Sequence, residues 1–133
     1  MCKDYIGITD EDLDKVSPGI AKLLDGFIKY ETLKWKVIAE VTESKYCFAG
    51  CKVGDILVFD NAGLMLNAAE STCPLCIGAI PQMLERVHIM WERMAEGLDP
   101  NDIWVKHSQC YDPGLEHGGL GRVVFKIYAE KVE

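Results

Sequence analysis

Cysteines are the residues of this chain whose types and spacing could support chemistry. Two close pairs, Cys47 with Cys51 and Cys73 with Cys76, are followed by a fifth thiol at Cys110. Zinc and iron–sulfur sites use close thiolate pairs, because both sulfurs of one loop can then reach the same centre. The same thiols could instead perform redox chemistry or fill a core as small hydrophobic groups. Spacing alone leaves these three interpretations open.

The two pairs differ in spacing. Cys73-Pro-Leu-Cys76 has the two-residue separation common in metal sites, whereas Cys47-Phe-Ala-Gly-Cys51 is one residue wider. Gly50 would free the local backbone to turn its N–H groups towards a charged sulfur. A disulfide-exchange motif would open a helix within a βαβ pattern, and that pattern is not present around Cys73.

Other side chains near the cysteines could take part in such a site. His107 lies three residues before Cys110 and could be a ligand or a hydrogen-bond donor to one. Asp112 is typical of a turn, although an acid–base role is the alternative. Trp104 could form the wall of a pocket or pack in the core. Since no Ser/His/Asp signature, Walker loop or dinucleotide fingerprint is present, the sequence names no reaction.

Composition limits the class of protein. The chain has 133 residues, of which 49% are hydrophobic and 26% charged, as expected for one globular domain. Its net charge of −7 disfavours nucleic acid as a partner. No apolar run approaches the roughly 20 residues of a membrane span, and acids rather than a signal-peptide core follow the first residues. We therefore expect no membrane partner and a cytoplasmic location, where thiols stay reduced.

Hydrophobic periodicity predicts an α+β fold. Helical spacing and capping signals indicate two short N-terminal helices and one longer helix in the second half, whereas alternation indicates strands. We predict helices over 10–16, 18–30 and 81–96, and strands over 33–43, 56–59, 104–106 and 122–130. Because helices and strands do not alternate strictly, we expect a small, mainly antiparallel sheet with helices packed on one face.

The same pattern suggests how the chain is divided. We predict an acidic N-terminal helical extension over 1–31 and an α+β cysteine-containing domain over 32–133. All five cysteines of this domain fall in predicted loops or at the ends of elements, which favours a functional role over core filling.

Five short motifs, taken in order, resemble a family of small prokaryotic cysteine-containing proteins. They are Cys47-Phe-Ala-Gly-Cys-Lys-Val-Gly-Asp55, Cys73-Pro74, Trp104, Cys110-Tyr-Asp-Pro113 and Val123-Val-Phe-Lys-Ile127. The resemblance spans about residues 34–130 and implies no particular activity. It does imply that Cys47, Cys73 and Cys110 are the family's recurring cysteines, that Cys51 stands where a histidine is expected, and that Cys76 is particular to this chain.

We therefore predict a zinc or iron–sulfur site built from Cys47, Cys73 and Cys110, with Cys51 or Cys76 completing the ligand set. One alternative is a thiol-dependent enzyme acting on a small molecule, with Cys73 or Cys110 as nucleophile. Another is a non-catalytic accessory subunit whose cysteines are buried and reduced. A homo-oligomer or the subunit of a partner enzyme is compatible with each of these.

Overall fold

An antiparallel five-stranded sheet forms the centre of the protein. The structure, a computed structural model, describes residues 2–132. Within them the strands follow the spatial order β3-β2-β1-β5-β4. Their bounds are β1 Trp35–Lys45, β2 Ile56–Asp60, β3 Met65–Leu66, β4 His107–Gln109 and β5 Arg122–Lys131. Together with the helices given below, this sheet confirms the predicted α+β class.

Alternating side chains place one face of the sheet in the core. Val37, Ala39 and Val41 of β1 are fully buried, as are Phe125 and Ile127 of β5. Successive strand residues point to opposite faces, so this alternation covers one face with apolar groups. The two strands pair along almost their whole length, from Trp35 opposite Lys131 to Lys45 opposite Arg122. These apolar residues form part of the sheet's contribution to the core.

Four α-helices lie in the described chain: α1 Cys2–Ile6, α2 Asp10–Leu13, α3 Pro18–Lys29 and α4 Leu84–Ala95. A 3₁₀ turn, Ile80–Met83, leads directly into α4. Helix α3 begins where the Ser17 hydroxyl accepts the N–H of Ile20 and proline occupies the first turn. Helix α4 buries Val87, Met90 and Met94 against the sheet, as its helical spacing predicts.

Helix α3 packs on α4 rather than standing apart from the domain. The rings of Phe27 and Trp91 lie 5.6 Å apart, and Lys22 forms a 2.9 Å ion pair with Glu96. Gly26 is buried where the helices cross. The division into an extension over 1–31 and a domain over 32–133 stays a prediction, and its two end residues lie outside the described chain.

Two edge strands differ from the sequence-based expectation. The strand predicted over 104–106 lies at His107–Gln109, and Trp104 and Val105 are exposed instead. The residues that pair with β5 are polar, so no hydrophobic alternation marks them. Strand β3, Met65–Leu66, has two exposed apolar residues and was not predicted because two residues are too few to show an alternation.

No helix in the described residues is both long and apolar enough to cross a membrane.

The close crossing of α3 and α4 predicts that Gly26→Ala lowers the free energy of unfolding. A methyl group at Gly26 would collide with the backbone of Ala95, whose carbonyl is the nearest atom. Overpacking of this kind typically costs about 1–3 kcal/mol. Gly19→Ala in the same helix is the matched control, since nothing lies within 4 Å of its added methyl group. Urea unfolding of both variants would measure the difference, and equal stabilities would contradict the close crossing.

Candidate thiol site

Sheet topology brings the five cysteine positions to one end of the sheet. The connection between β1 and β2 carries Cys47 and Cys51. Cys110 follows β4, and its backbone N–H donates to the carbonyl of Val123 near the start of β5. Since β5 begins opposite the end of β1, both loops leave the sheet at the same end. As predicted, the five cysteines from Cys47 to Cys110 lie outside the strands and helices.

The segment from Cys73 to Gly78 spans this end of the sheet. At its start, the backbone N–H of Cys73 donates to the carbonyl of Ile56, the first residue of β2. At its other end, the backbone N–H of Tyr111 donates to the carbonyl of Gly78 at 3.0 Å. The segment therefore links the loop that holds Cys51 to the loop that holds Cys110.

The closest pair of sulfurs comes from different loops. The Sγ atoms of Cys51 and Cys73 lie 2.9 Å apart, and either thiol can donate a proton to the other. This separation exceeds the roughly 2.05 Å of a disulfide bond, and both cysteines are free. Only 4% of Cys51 and 3% of Cys73 is exposed. Cys51 was a predicted alternative fourth ligand beside Cys73, but spacing along the chain carries no signal for a direct contact between residues 22 apart.

Cys47 lies in a loop whose backbone N–H groups lower the pKa of its thiol. Burial by itself would raise the pKa of Cys47, but N–H groups of Cys51, Ala49 and Gly50, together with the Cys51 thiol, lower it overall. Gly50 has a φ of 81°, a left-handed conformation that suits glycine and turns the chain back towards Cys47. The loop therefore stabilises the thiolate form of one half-buried cysteine.

The two buried thiols behave in the opposite way. Burial raises the pKa of Cys51 far above its ordinary range, and the neighbouring Cys73 and Cys47 raise it further. Burial also raises the pKa of Cys73; the hydrogen bond with Cys51 opposes this shift, while the charges of Asp55, Cys47 and Cys76 reinforce it. One thiolate-stabilising position therefore lies beside two thiols that hold their protons.

The remaining two cysteines lie at the margin of this group. Cys76 is half-buried and close enough to Cys73 for its charge to raise the pKa of that thiol. The half-buried Cys110 directs its sulfur to the carbonyl of Asp112 at 3.8 Å. Within residues 2–132, no three His, Cys, Asp or Glu side chains stand in an arrangement ready to hold a metal ion. The predicted grouping of Cys47, Cys73 and Cys110 remains a prediction.

The other residues singled out in the sequence have separate positions. His107 is an exposed residue of the edge strand β4 and pairs with Lys126. Trp104 is fully exposed beside a cleft of about 500 Å³ that Arg86 and Asp102 also line. Its side chain therefore borders a cleft and does not pack in the core.

Asp112 holds the loop after Cys110 in place. Its Oδ1 accepts the N–H groups of Gly114 and Leu120, and its Oδ2 accepts that of Gly121 at 2.8 Å. These three donors, led by Gly114, lower the pKa of the Asp112 carboxyl. The interpretation of Asp112 as a residue that fixes a turn agrees with this geometry.

We expect Cys47 to be alkylated faster than Cys51 and Cys73 at neutral pH. The thiolate is the reactive form, and only Cys47 of these three combines partial exposure with a lowered pKa. Limited treatment with iodoacetamide followed by peptide mass spectrometry would rank the three positions. Equal labelling rates under native conditions, with full labelling of all thiols in denaturant as the reference, would contradict the geometry.

The Asp112 hydrogen bonds predict that Asp112→Asn destabilises the protein near neutral pH. The asparagine amide can take two orientations. Its NH₂ group would face either the N–H of Gly121 or the N–H groups of Gly114 and Leu120, and the hydrogen bonds at that position would be lost. Because the folded-state pKa is lowered, this stabilisation is present above the unfolded value of 3.8 and is lost as pH falls through the folded value. The urea unfolding midpoints of the wild-type and Asp112→Asn proteins should therefore converge as the pH is lowered from 7. Glu116→Gln, an exposed change in the same loop, is the control and should leave the midpoint nearly unchanged.

Comparisons with known proteins add no relative. No protein-family model matches the chain, and searches of curated proteins and of solved structures found no match. The resemblance carried by the short motifs therefore stays a prediction, and the candidate function depends on the geometry of the thiols.

Proposed function

We propose that the protein binds a single thiophilic metal ion, zinc or iron, through Cys47, Cys51 and Cys73, with Cys76 as the nearest fourth ligand. The contact between the sulfurs of Cys51 and Cys73 is the observation that carries this proposal, and the lowered pKa of the Cys47 thiol supports it. A cysteine that only fills a core is a neutral hydrophobic group and needs no donors. Backbone N–H groups of Cys51, Ala49 and Gly50 instead favour a negatively charged sulfur, which is the form that ligates a metal.

The contact between loops supports a shared centre. Cys51 and Cys73 approach to 2.9 Å even though 22 residues separate them. Two thiolates on one tetrahedral zinc ion would lie about 3.8 Å apart, given zinc–sulfur distances of about 2.3 Å. Binding therefore requires the two loops to move apart by roughly 1 Å, with loss of the protons that both thiols carry.

The same distance favours one ion over a 4Fe–4S cluster. Such a cluster binds one cysteine at each iron atom and so keeps the cysteine sulfurs further apart than a single ion does. Thiols 2.9 Å apart would need a much larger movement of both loops to hold it. The sequence predicts zinc or an iron–sulfur cluster; we propose a single ion, zinc or iron.

We expect the reduced protein to bind one Zn²⁺ or Fe²⁺ per chain. Replacing Cys47, Cys51 or Cys73 by serine should weaken binding by roughly 100-fold or more, because each change removes a thiolate ligand. Metal content after anaerobic purification, followed by competition with a chromogenic chelator, would measure stoichiometry and affinity. A folded protein with no stoichiometric metal and no measurable affinity would reject the proposal.

Matched variants distinguish the fourth ligand. Cys76→Ser should weaken binding strongly if Cys76 completes the shell, whereas Cys110→Ser should do so if the trio implied by the motifs is correct. Cys2→Ser lies outside the cysteine loops and serves as the control for the loss of a thiol. The unfolding midpoints of the metal-free variants would distinguish a variant that has lost a ligand from one that no longer folds.

A second function is favoured by the exposure of Cys47. A half-buried thiol of lowered pKa beside a second thiol, Cys51, has the features of a reactive cysteine. Cys47 would then replace Cys73 or Cys110 as the predicted nucleophile of a thiol enzyme. Rapid alkylation of Cys47 in metal-free protein that binds no metal would favour this function. Both proposals assume the reducing compartment predicted from the sequence.

A further inference from the structure

The cysteine end of the sheet exposes an unusual amount of apolar surface. Phe48 is 92% exposed, Ile77 is 87% exposed and Tyr111 is 76% exposed, and each is next to a cysteine in the chain. Three further exposed apolar side chains belong to the same loops. We call the full set the apolar rim: Tyr46, Phe48, Val53, Leu75, Ile77 and Tyr111.

Contacts between the loops make the rim one surface. The loop from Tyr46 to Val53 meets the loop from Cys73 to Gly78 through the sulfurs of Cys51 and Cys73. The second loop meets Tyr111 through its backbone hydrogen bond to Gly78, and the Tyr111 ring lies against Gly78. The three loops that carry the rim are therefore linked by direct contacts at one end of the molecule.

The area of the rim matches one side of a stable interface. With about 150–250 Å² for each aromatic side chain and the exposed fractions of its residues, the three aromatic and three aliphatic side chains of the rim together present roughly 700 Å² of largely apolar surface. Monomeric proteins rarely expose a contiguous apolar patch of this size. A standard interface buries about 800 Å² per partner, and aromatic side chains such as Phe48 and Tyr111 are frequent at the centre of such interfaces.

Charges around the rim point to a second copy of this chain as the occupant. Backbone N–H groups hold the acids of the rim loops: Asp55 accepts the N–H of Lys52, and Asp112 accepts three backbone N–H groups. Lys45 and Lys52 are exposed at the border. In a two-fold dimer only the border of the rim faces these lysines, so the acids that pair with them must lie on the same border of the second copy.

Acids also lie near one of these lysines. Glu43 and Glu116 are exposed and line the same surface cleft as Lys45. A border that carries both signs of charge can be complementary to itself when two copies are related by a two-fold axis. We propose that the protein forms a two-fold symmetric dimer through the apolar rim. The proposal does not depend on the proposed metal site.

Sedimentation velocity of the reduced full-length chain, over about a hundredfold range of concentration, would test the dimer. The expected result is a reversible monomer–dimer equilibrium. Phe48→Ser and Ile77→Ser should each weaken it at least about 30-fold, as central interface residues typically do. Trp104→Ser removes an equally exposed aromatic side chain outside the rim and should leave it unchanged.

Each other outcome overturns the proposal. If the wild-type protein is monomeric, the rim is the docking surface of a different protein. A dimer that resists Phe48→Ser and Ile77→Ser, or that Trp104→Ser weakens equally, would place the interface elsewhere. Since these positions are exposed, unfolding midpoints near that of the wild type are expected and would exclude misfolding as the cause.

Repeating the experiment on metal-free and metal-loaded protein separates this proposal from the proposed function. Phe48→Ser should dissociate the dimer and keep the metal stoichiometry, because it removes no ligand. Cys51→Ser should lose the metal and keep the dimer, since Cys51 is 96% buried and the exposed side chains of Phe48 and Ile77 are unchanged. If Phe48→Ser does not dissociate the dimer, the dimer proposal is wrong. If Cys51→Ser does not lose the metal, the metal-site proposal is wrong.

Discussion

Pairing of β1 with β5 is the interaction on which the rest of the structure depends. These two strands are the longest in the described chain and lie at the centre of the sheet. Their register continues to Lys45 opposite Arg122, past an irregularity between Val41 and Glu43. Because the strands are antiparallel and almost fully paired, the loop after β1 and the loop before β5 must leave at the same place. That constraint brings the cysteines of these two loops to one end of the sheet, whereas Cys73 is held there by its hydrogen bond to the first residue of β2.

The two ends of the molecule satisfy different physical demands. Helix α4 packs Val87, Met90 and Met94 on the sheet in the usual way. At the cysteine end, a thiolate is stabilised at Cys47 while Phe48, its neighbour in the chain, is directed into solvent. A fold optimised only for stability would bury the apolar group and leave the sulfur neutral. Departures of this kind from local preference are expected at functional sites.

Much of the fold was predictable from local patterns. Alternating apolar residues indicated β1, β2 and β5, and helical spacing with the Ser17-Pro18 signal indicated α3 and α4. The edge strands β3 and β4 were not predicted correctly, because their pairing residues are exposed or polar and depend on a neighbouring strand for their conformation. The crossing of α3 over α4 at Gly26 likewise has no signature along the chain, since a glycine within a helix usually signals weakness.

The sequence by itself determined the inventory of chemistry: five thiols placed in loops, glycines that let a backbone turn, and an acidic surface. Only the tertiary structure decided which thiols meet. Spacing along the chain grouped Cys47 with Cys51 and Cys73 with Cys76, and motif order grouped Cys47, Cys73 and Cys110. The structure instead brings the sulfurs of Cys51 and Cys73 together. The physical reason is that strand order and register set distances between loops, and neither quantity is encoded in the spacing of residues within a loop.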